Sequence, residues 1–268
     1  MKKTLRTFAT LAFFAVSGTA YAAGGSLEHA APPAGGWQHD GVFGTYDKAA
    51  AQRGLQVYRE VCATCHGLKF VSFRTLSDLG FSEPEIKAIA KEYTFMAEPD
   101  DEGEVMERNG LPFDYFPSPY ANEKAAAAMN NGAAPPDLSL ITKARANGPD
   151  YLYSLLTSYR DPTDGDLAAL AEANIDLGDT TYFNPIMPGN QLAMAPPLDD
   201  GLVEYAEGQP EATLEQMAHD VTVFLTWAAE PKMEERKEMG RNVMAYLIVF
   251  CGIMFFAYRR IAKRILGH

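Results

Sequence analysis

The chain has 268 residues, of which 47% are hydrophobic and 22% are charged, and this composition excludes an intrinsically disordered protein. Its three cysteines are too few for a disulfide-rich scaffold. The net charge of −12 hides basic ends, because residues 23–240 alone carry 15 Lys and Arg against 35 Asp and Glu, a balance of −20. Such a body repels nucleic acid, so no nucleic-acid partner is expected.

Residues 1–22 are predicted to be a secretory signal peptide. MKKTLR is a basic start, an apolar run from Thr7 to Ala20 follows, and Ala-Tyr-Ala22 is an A-x-A cleavage pattern. The alternatives are a first transmembrane helix, for which the run is short, and a mitochondrial transit peptide, for which a single arginine, Arg6, is too few.

The body that follows predicts a mainly α class with long loops. Asp47 is a good N-cap, and the apolar face of the helix after it leads into Cys62. Residues 161–200 are expected to be mostly loop, and no strand-period alternation of any length is found. The other expected helices are Ser82–Tyr93 and the one from Thr213, each opened by a capping box, together with Asn122–Asn131 and Asp150–Tyr159.

The C-terminal region predicts one membrane anchor. Asn242 to Tyr258 is a run of 17 residues without a charge, the lower limit for a spanning helix. A basic cluster follows, which places the C-terminus in the cytoplasm by the positive-inside rule. A buried core helix is the alternative.

Together with the bacterial-type signal peptide, the predicted anchor indicates a single-pass protein of the bacterial inner membrane. The expected parts are a periplasmic domain at 23–240, an anchor at 241–258 and a cytoplasmic tail at 259–268.

The segment Cys62-Ala-Thr-Cys65-His66 carries the chemistry, because C-x-x-C-H is the haem attachment signature of c-type cytochromes. Two cysteines one helical turn apart can each form a thioether bond to the same edge of a porphyrin. The next residue, His66, then projects its imidazole towards the iron, for which histidine is a common proximal ligand. The predicted cofactor is one covalently attached haem c.

Three other interpretations of the cysteine pair fit the sequence less well. A thioredoxin-like pair sits at a helix N-terminus in a βαβ unit, whereas this pair follows a helix. A zinc site needs a fourth nitrogen or sulfur ligand, and the only other cysteine, Cys251, lies in the apolar C-terminal run. A disulfide between Cys62 and Cys65 is geometrically poor across so short a loop.

The sixth iron ligand is predicted to be a methionine. Met194 is followed by Ala195 and two prolines, which fix φ and stiffen the loop. Met187 is the alternative, and both side chains could instead fill gaps in the core. The remaining histidines are not expected to bind iron, and His219 is expected to be solvated. Because Met/His ligation leaves no open position for oxygen, the site is predicted to transfer electrons, with no catalytic residue of its own.

Further segments accompany the C-x-x-C-H motif, and together with the apolar C-terminal run they resemble the cytochrome c1 family. This family comprises the haem subunits of the quinol–cytochrome c reductase (cytochrome bc1) complex. The resemblance covers nearly the whole mature chain. The segments that carry it are GLQVYREVCATCH from Gly54, DYFPSPY from Asp114, NGAAPPDLSLI from Asn131, YFNP from Tyr182, MAPP from Met194 and WAAEP from Trp227.

The resemblance implies Cys62 and Cys65 as the thioether positions, His66 and Met194 as iron ligands, and Arg145 as the partner of a haem propionate. An ordinary surface charge is the alternative for Arg145. The resemblance also implies a redox subunit that associates with cytochrome b, accepts electrons from the Rieske iron–sulfur subunit and reduces a soluble or anchored cytochrome c. Two rivals stay open: a free membrane-anchored cytochrome c, and a non-haem protein whose cysteine pair is a thiol switch.

The chain departs from the family pattern in two places. Some bacterial relatives carry an extra cysteine pair that closes the loop before the methionine ligand. This chain has none, so its 161–193 loop is expected to be held by packing. After Arg145, the sequence Ala-Asn-Gly-Pro replaces the more usual His-Gly-Gly, which leaves the contacts of that turn unassigned. The acidic stretches 98–104 and 199–211 favour steering of a basic partner, or else simply keep an exported domain soluble.

Overall fold

A computed structural model describes residues 25–266, so the predicted signal peptide, residues 1–22, lies outside the described residues. The predicted class is confirmed, because the chain is mainly α. The helices are α1 Lys48–Glu60, α2 Glu83–Lys91, α3 Glu123–Met129, α4 Ile141–Ala144, α5 Gly148–Thr157, α6 Asp164–Glu172, α7 Leu214–Ala229 and α8 Met233–Leu266. Short 3₁₀ helices span Cys62–Thr64 and Phe73–Leu79, and the strands are β1 Thr94–Met96, β2 Glu107–Asn109, β3 Tyr182–Phe183 and β4 Gln191–Leu192.

The helix starts follow the predicted caps. The Asp47 carboxylate accepts from the backbone N–H of Ala50 at 3.0 Å, and Ser82 opens α2 with a reciprocal capping box. At α7 the Thr213 hydroxyl accepts from the Gln216 N–H at 3.2 Å. The Gln216 side chain was expected to complete this capping box, but its amide donates to the buried Asp220 at 3.0 Å instead.

Residues 161–200 are mostly loop, as predicted, but they also contain α6, and short strands form where no strand pattern was found. Of the α6 side chains only Leu170 is buried, so the helix carries no apolar stripe for periodicity to reveal. β1 pairs antiparallel with β2, and β3 pairs antiparallel with β4. With two or three residues each, these strands are too short to show a period of two.

The core forms where α1 packs against α7, which also contacts α4 and α5. The α1 face predicted from the sequence is buried at Ala51, Leu55 and Tyr58. The apolar stripe predicted for α7 is buried from Met217 onward. Burying both faces removes their apolar surface from water, which drives the two helices together.

Gly54 sets how closely α1 and α7 approach. A Cβ atom at this position would lie 2.0 Å from the carbonyl oxygen of Asp220 and 2.8 Å from the Cβ of Phe224. Beside it, Arg53 makes a bidentate ion pair with the fully buried Asp220, at 2.7 and 2.9 Å. Two parallel N–H···O bonds of this kind add geometric specificity to the crossing.

The C-terminal anchor belongs to a longer helix than expected. Pro231 separates α7 from α8, and α8 begins at Met233, so it includes a charged stretch, residues 234–238, ahead of the predicted anchor. An apolar window of α8 has a mean hydropathy of 1.6 and is not buried against the rest of the described chain. The helix is therefore long and apolar enough to anchor the domain in a membrane. Because it runs unbroken through residues 241 and 259, the boundaries of the span stay predictions.

Substituting Gly54 by Ala is expected to destabilise the domain strongly. The new methyl group would collide with the backbone of α7, and overpacking of this kind typically costs about 1–3 kcal/mol. Urea unfolding of the detergent-solubilised protein, followed by circular dichroism, measures the loss. Gly165→Ala in α6 is the matched control, because the nearest atom to its Cβ is the Thr163 Oγ1 at an ordinary 3.7 Å. Equal unfolding free energies for the two variants would contradict the role given to Gly54.

Candidate functional site

The cysteine segment is wound into one tight turn at the end of α1. α1 ends at Glu60, and the 3₁₀ helix Cys62–Thr64 follows. The backbone N–H groups of Cys65 and His66 both donate to the carbonyl oxygen of Cys62, at 3.1 and 2.9 Å. Cys62 is partly buried and packs against the core beyond the buried face of α1. The three predicted haem-binding residues of this motif are therefore presented together by a helix whose direction the core determines.

His66 is oriented from both its ring and its backbone. Its Nδ1 lies 2.7 Å from the carbonyl oxygen of Pro136, and the Tyr58 hydroxyl donates to the His66 carbonyl at 2.9 Å. Because a carbonyl only accepts, Nδ1 carries the proton and Nε2 is left with its lone pair. Burial lowers the pKa of His66, against the opposing effect of the Pro136 hydrogen bond. The imidazole is therefore neutral, which is the form that binds a metal ion.

The Pro136 carbonyl is held in place by Asp137, a contact that sequence reasoning missed. The Asp137 carboxylate accepts from the backbone N–H groups of Lys69 and Ser139, each at 3.0 Å. These bonds dock the segment after Pro136 against the residues that follow His66. The signal in the sequence was the Pro-Pro-Asp run, where two prolines force an extended passage and an aspartate can bond the backbone two residues on.

Met194 lies on the same core as the cysteine segment. Its side chain is partly buried and, like that of Cys62, packs against the main hydrophobic cluster. The Tyr159 hydroxyl donates to the Met194 carbonyl at 3.1 Å, and Leu198, which follows the two prolines, is buried. The loop that carries Met194 is thus fastened on both sides of the methionine.

Met187 is placed differently. The Tyr151 hydroxyl donates to its sulfur at 3.1 Å, so one lone pair of the thioether already has a partner. This contact favours Met194 over Met187 as the sulfur ligand.

Arg145 is an exposed residue at the C-terminal end of α4. Its Nη1 lies 3.3 Å from the Ala144 carbonyl. Burial raises the pKa of Tyr151, and the nearby Arg145 guanidinium opposes that rise. Arg145 is therefore adjacent to the Tyr151–Met187 contact, and its predicted pairing with a propionate stays a prediction.

His219 was expected to be solvated, and this is wrong in part. Its imidazole stacks on Trp37 with ring centroids 5.4 Å apart and rings tilted by 13°, and its side chain is 28% exposed. Trp37 also contacts His39, a buried residue, with the two ring centroids 5.4 Å apart. Tertiary contacts with the N-terminal segment cover a helix face that α7 by itself would leave open.

The donor set suits a covalently held haem better than its competitors. Burial and the neighbouring Cys65 raise the pKa of the Cys62 thiol to about 12, whereas redox-active and zinc-binding cysteines need an accessible thiolate. Cys62 and Cys65 are both free. Within residues 25–266 no group of three or more His, Cys, Asp or Glu side chains forms a metal site. Two thiols and the adjacent neutral imidazole are the groups of the c-type haem attachment signature, and a methionine thioether can supply the second iron ligand.

The loop before Met194 is held by more than the packing that the sequence predicted. Arg160 donates to the Asp166 carboxylate at 2.5 and 3.3 Å and to the Glu28 carboxylate at 2.9 Å. Its guanidinium carbon lies 5.1 Å from the centroid of the Phe183 ring. The Thr163 hydroxyl donates to Asp166 in a capping box. This ion-pair network connects the N-terminal segment, α6 and β3 without a disulfide.

Comparison with known proteins agrees with this site. A family model described as the Cytochrome C1 family matches residues 37–265. Cytochrome c1 of Rhodospirillum rubrum is 48% identical over 81% of this chain and 82% of that relative. A mitochondrial cytochrome c1 heme protein of Arabidopsis thaliana is 46% identical over 86% and 71%. The mitochondrial cytochrome b-c1 complex catalytic subunit of Candida albicans is 48% identical over 81% and 72%.

The loop around α6 is expected to loosen in acid. Hydrogen bonds from Arg160 and Thr163 hold the pKa of the Asp166 carboxyl well below its usual range. Such a group contributes stability above its unfolded pKa of about 4, and this stability is lost as the pH falls further towards the folded value. Hydrogen exchange of residues 163–192, corrected for intrinsic rates, should therefore speed up from about pH 5 downwards.

The Asp166→Asn variant should exchange faster than the unmodified chain at neutral pH and lose most of this pH dependence. Asp164→Asn, in the same helical turn, is the matched control, because it leaves the Arg160 contact intact. If both variants kept the original pH profile, the ion pair would not be what holds the loop.

Proposed function

Since the chain belongs to the cytochrome c1 family, whose members are the haem-carrying subunits of the cytochrome bc1 complex, we propose that it is a one-electron carrier with a single covalent haem c. Cys62 and Cys65 would hold the group by thioether bonds, and His66 and Met194 would bind its iron. The observation that carries this proposal is the single turn in which both cysteines and a neutral, oriented imidazole are presented together.

The residues of this chain hold and orient the group. The Pro136 carbonyl holds the proton of His66 on Nδ1 and keeps Nε2 available, and Tyr58 fixes the backbone of the same residue. Tyr159 and the two prolines keep the Met194 segment against the core. When bound, a haem with His and Met ligands supplies one-electron transfer at a raised potential. With His66 and Met194 both bound to the iron, no position would be left for oxygen, so the group would relay electrons.

We further propose the electron path, from the Rieske iron–sulfur subunit to this chain and on to a soluble or anchored cytochrome c, with cytochrome b as a neighbouring subunit. A similar protein is named as a cytochrome b-c1 complex catalytic subunit, which supports assembly into that complex. The excess of acidic residues in the body favours a basic electron acceptor. A free membrane-anchored cytochrome c is the rival, and the separation of 128 residues from His66 to Met194 disfavours it, because a minimal carrier needs less chain.

The proposed topology is that of a single-pass protein of the bacterial inner membrane. The signal peptide would export residues 23–240 to the periplasm, the apolar part of α8 would cross the bilayer, and the tail from residue 259 would stay in the cytoplasm. The support is the one unburied apolar helix and the basic cluster beyond it.

The test of function is whether the protein carries haem that survives denaturation. Expressed in a host able to mature c-type cytochromes, the chain should show a haem-stained band on a denaturing gel and should co-purify with a b-type cytochrome. Cys251→Ser is the matched control and should keep both signals, whereas Cys62→Ser with Cys65→Ser should lose the stained band. A colourless product with both thiols free would rule out the proposal. A stained band without the b-type cytochrome would favour the free carrier.

Met194→Leu is expected to remove the sixth ligand. Ferrous haem should then bind carbon monoxide, and the midpoint potential should fall by an amount on the order of 100 mV, within the roughly 0.8 V that axial ligands span. Optical redox titration and a carbon monoxide difference spectrum measure both effects. Met187→Leu is the matched control and should change neither. The reverse result, with ligation lost only in Met187→Leu, would assign the role to Met187.

A further inference from the structure

The segment from His39 to Gly44, called the strap below, fastens the domain to α8. The Lys237 ammonium group donates to the carbonyl oxygens of His39 and Gly44, the second at 3.2 Å. Arg241 Nη1 donates to the carbonyl of Val42 at 3.0 Å. Lys237 and Arg241 are four residues apart, so they lie on the same face of α8. The tip of the strap, at Val42, therefore lies one helical turn further along α8 than its base.

The two ends of the strap are rooted in the domain. On one side Trp37 is buried and its indole N–H donates to Asp150 at 2.6 Å. On the other side Tyr46 is buried, and its hydroxyl donates to the carbonyls of Thr226 and Glu230 at 3.3 and 3.0 Å. Anchored at both ends and bonded to α8, the strap has little freedom to change its position relative to the helix.

The turn itself is tight. Gly41 adopts φ +71°, a left-handed conformation that favours glycine. At Gly44 a Cβ atom would lie 2.1 Å from the carbonyl oxygen of Asp40, so no larger residue fits without a shift of the backbone. The side chains between the two glycines are thus presented by a fixed turn.

The tip of the strap is apolar and exposed. Val42 is 63% exposed, and Phe43 is 81% exposed, more than any other large hydrophobic side chain among residues 25–265, including those of the membrane anchor. The Arg241 guanidinium lies 5.4 Å from the centroid of the Phe43 ring. Packing inside the domain gives no reason for two adjacent apolar side chains at the end of a rigid turn, which points to contact with another apolar phase.

The height of the tip along α8 identifies that phase. Arg241 is the last charged residue before the uncharged run from Asn242 to Tyr258, so Phe43 is level with the start of the apolar part of the anchor. Interfaces of the bilayer with water are rich in aromatic side chains, and arginine can keep its charge among the headgroups while its stem lies on apolar surface.

We propose that Val42 and Phe43 insert into the bilayer at the boundary between headgroups and acyl chains, beside the point where α8 enters. The proposal rests on the membrane assignment of α8 and is independent of the haem chemistry. A single helix leaves a domain free to tilt relative to the plane of the membrane. A second contact with the bilayer, off the helix axis, restrains that tilt and with it the position of the Cys62–His66 turn relative to the membrane surface.

Spin-label accessibility in the assembled complex, reconstituted into phosphatidylcholine liposomes, tests the insertion. A nitroxide inside the bilayer collides with oxygen and is shielded from a polar nickel chelate, whereas a nitroxide in water collides with both. The test variant is Phe43→Cys with Cys251→Ser, and its substitution removes no core packing because Phe43 is exposed. The aqueous control is Met129→Cys with Cys251→Ser, at a 75% exposed position at the end of α3. The native Cys251 supplies the reference inside the anchor.

The expected result is a several-fold higher ratio of oxygen to nickel collisions at position 43 than at position 129, close to the ratio at Cys251. Equal ratios at positions 43 and 129 would place the strap in water and overturn the proposal. Shielding of position 43 from both reagents would show that another subunit covers it, which also overturns the proposal. A label on Cys251 that behaves as if in water would refute the membrane assignment itself, without bearing on the haem test.

Discussion

The hydrogen bond from the His66 imidazole to the Pro136 carbonyl determines what the candidate site can do. It joins segments that are 70 residues apart, and it settles which ring nitrogen carries the proton, because the acceptor has no proton to give. Asp137 holds the acceptor against the segment after His66. The second ring nitrogen is left in the state that a metal ligand needs, within one turn of Cys62 and Cys65.

The crossing of α1 and α7 gives that turn its place. Gly54 lets the two backbones approach more closely than any side chain would permit, and the buried Arg53–Asp220 pair sets the angle from the neighbouring position. α1 ends at the cysteine turn, and α7 leads through Pro231 into α8. One contact between two helices thus relates the cysteine turn to α8, and the strap adds a second connection to the same helix.

Sequence patterns predicted the parts of the fold that are specified locally. An N-cap such as Asp47 and an apolar stripe predict a helix because both signals are contained in the helix or in the residue just before it. α6 has no apolar stripe, and Thr163 was not predicted to be its N-cap. The helix is held instead by Arg160, which also binds Glu28. The half-buried state of His219 was missed for the same reason, since Trp37 covers it from the far end of the chain.

The amino-acid sequence alone determined which residues are chemically able to hold a haem, and that the chain carries one apolar C-terminal helix. Attachment depends on residue type and on spacing within one turn, and membrane crossing depends on an uninterrupted apolar run, so both are local properties. Only the tertiary structure decided the tautomer of His66, the hydroxyl donor on the sulfur of Met187 and the docking of Met194 on the shared core. Each of these requires contact between distant segments, and the order of residues along a chain does not state which distant segments will meet.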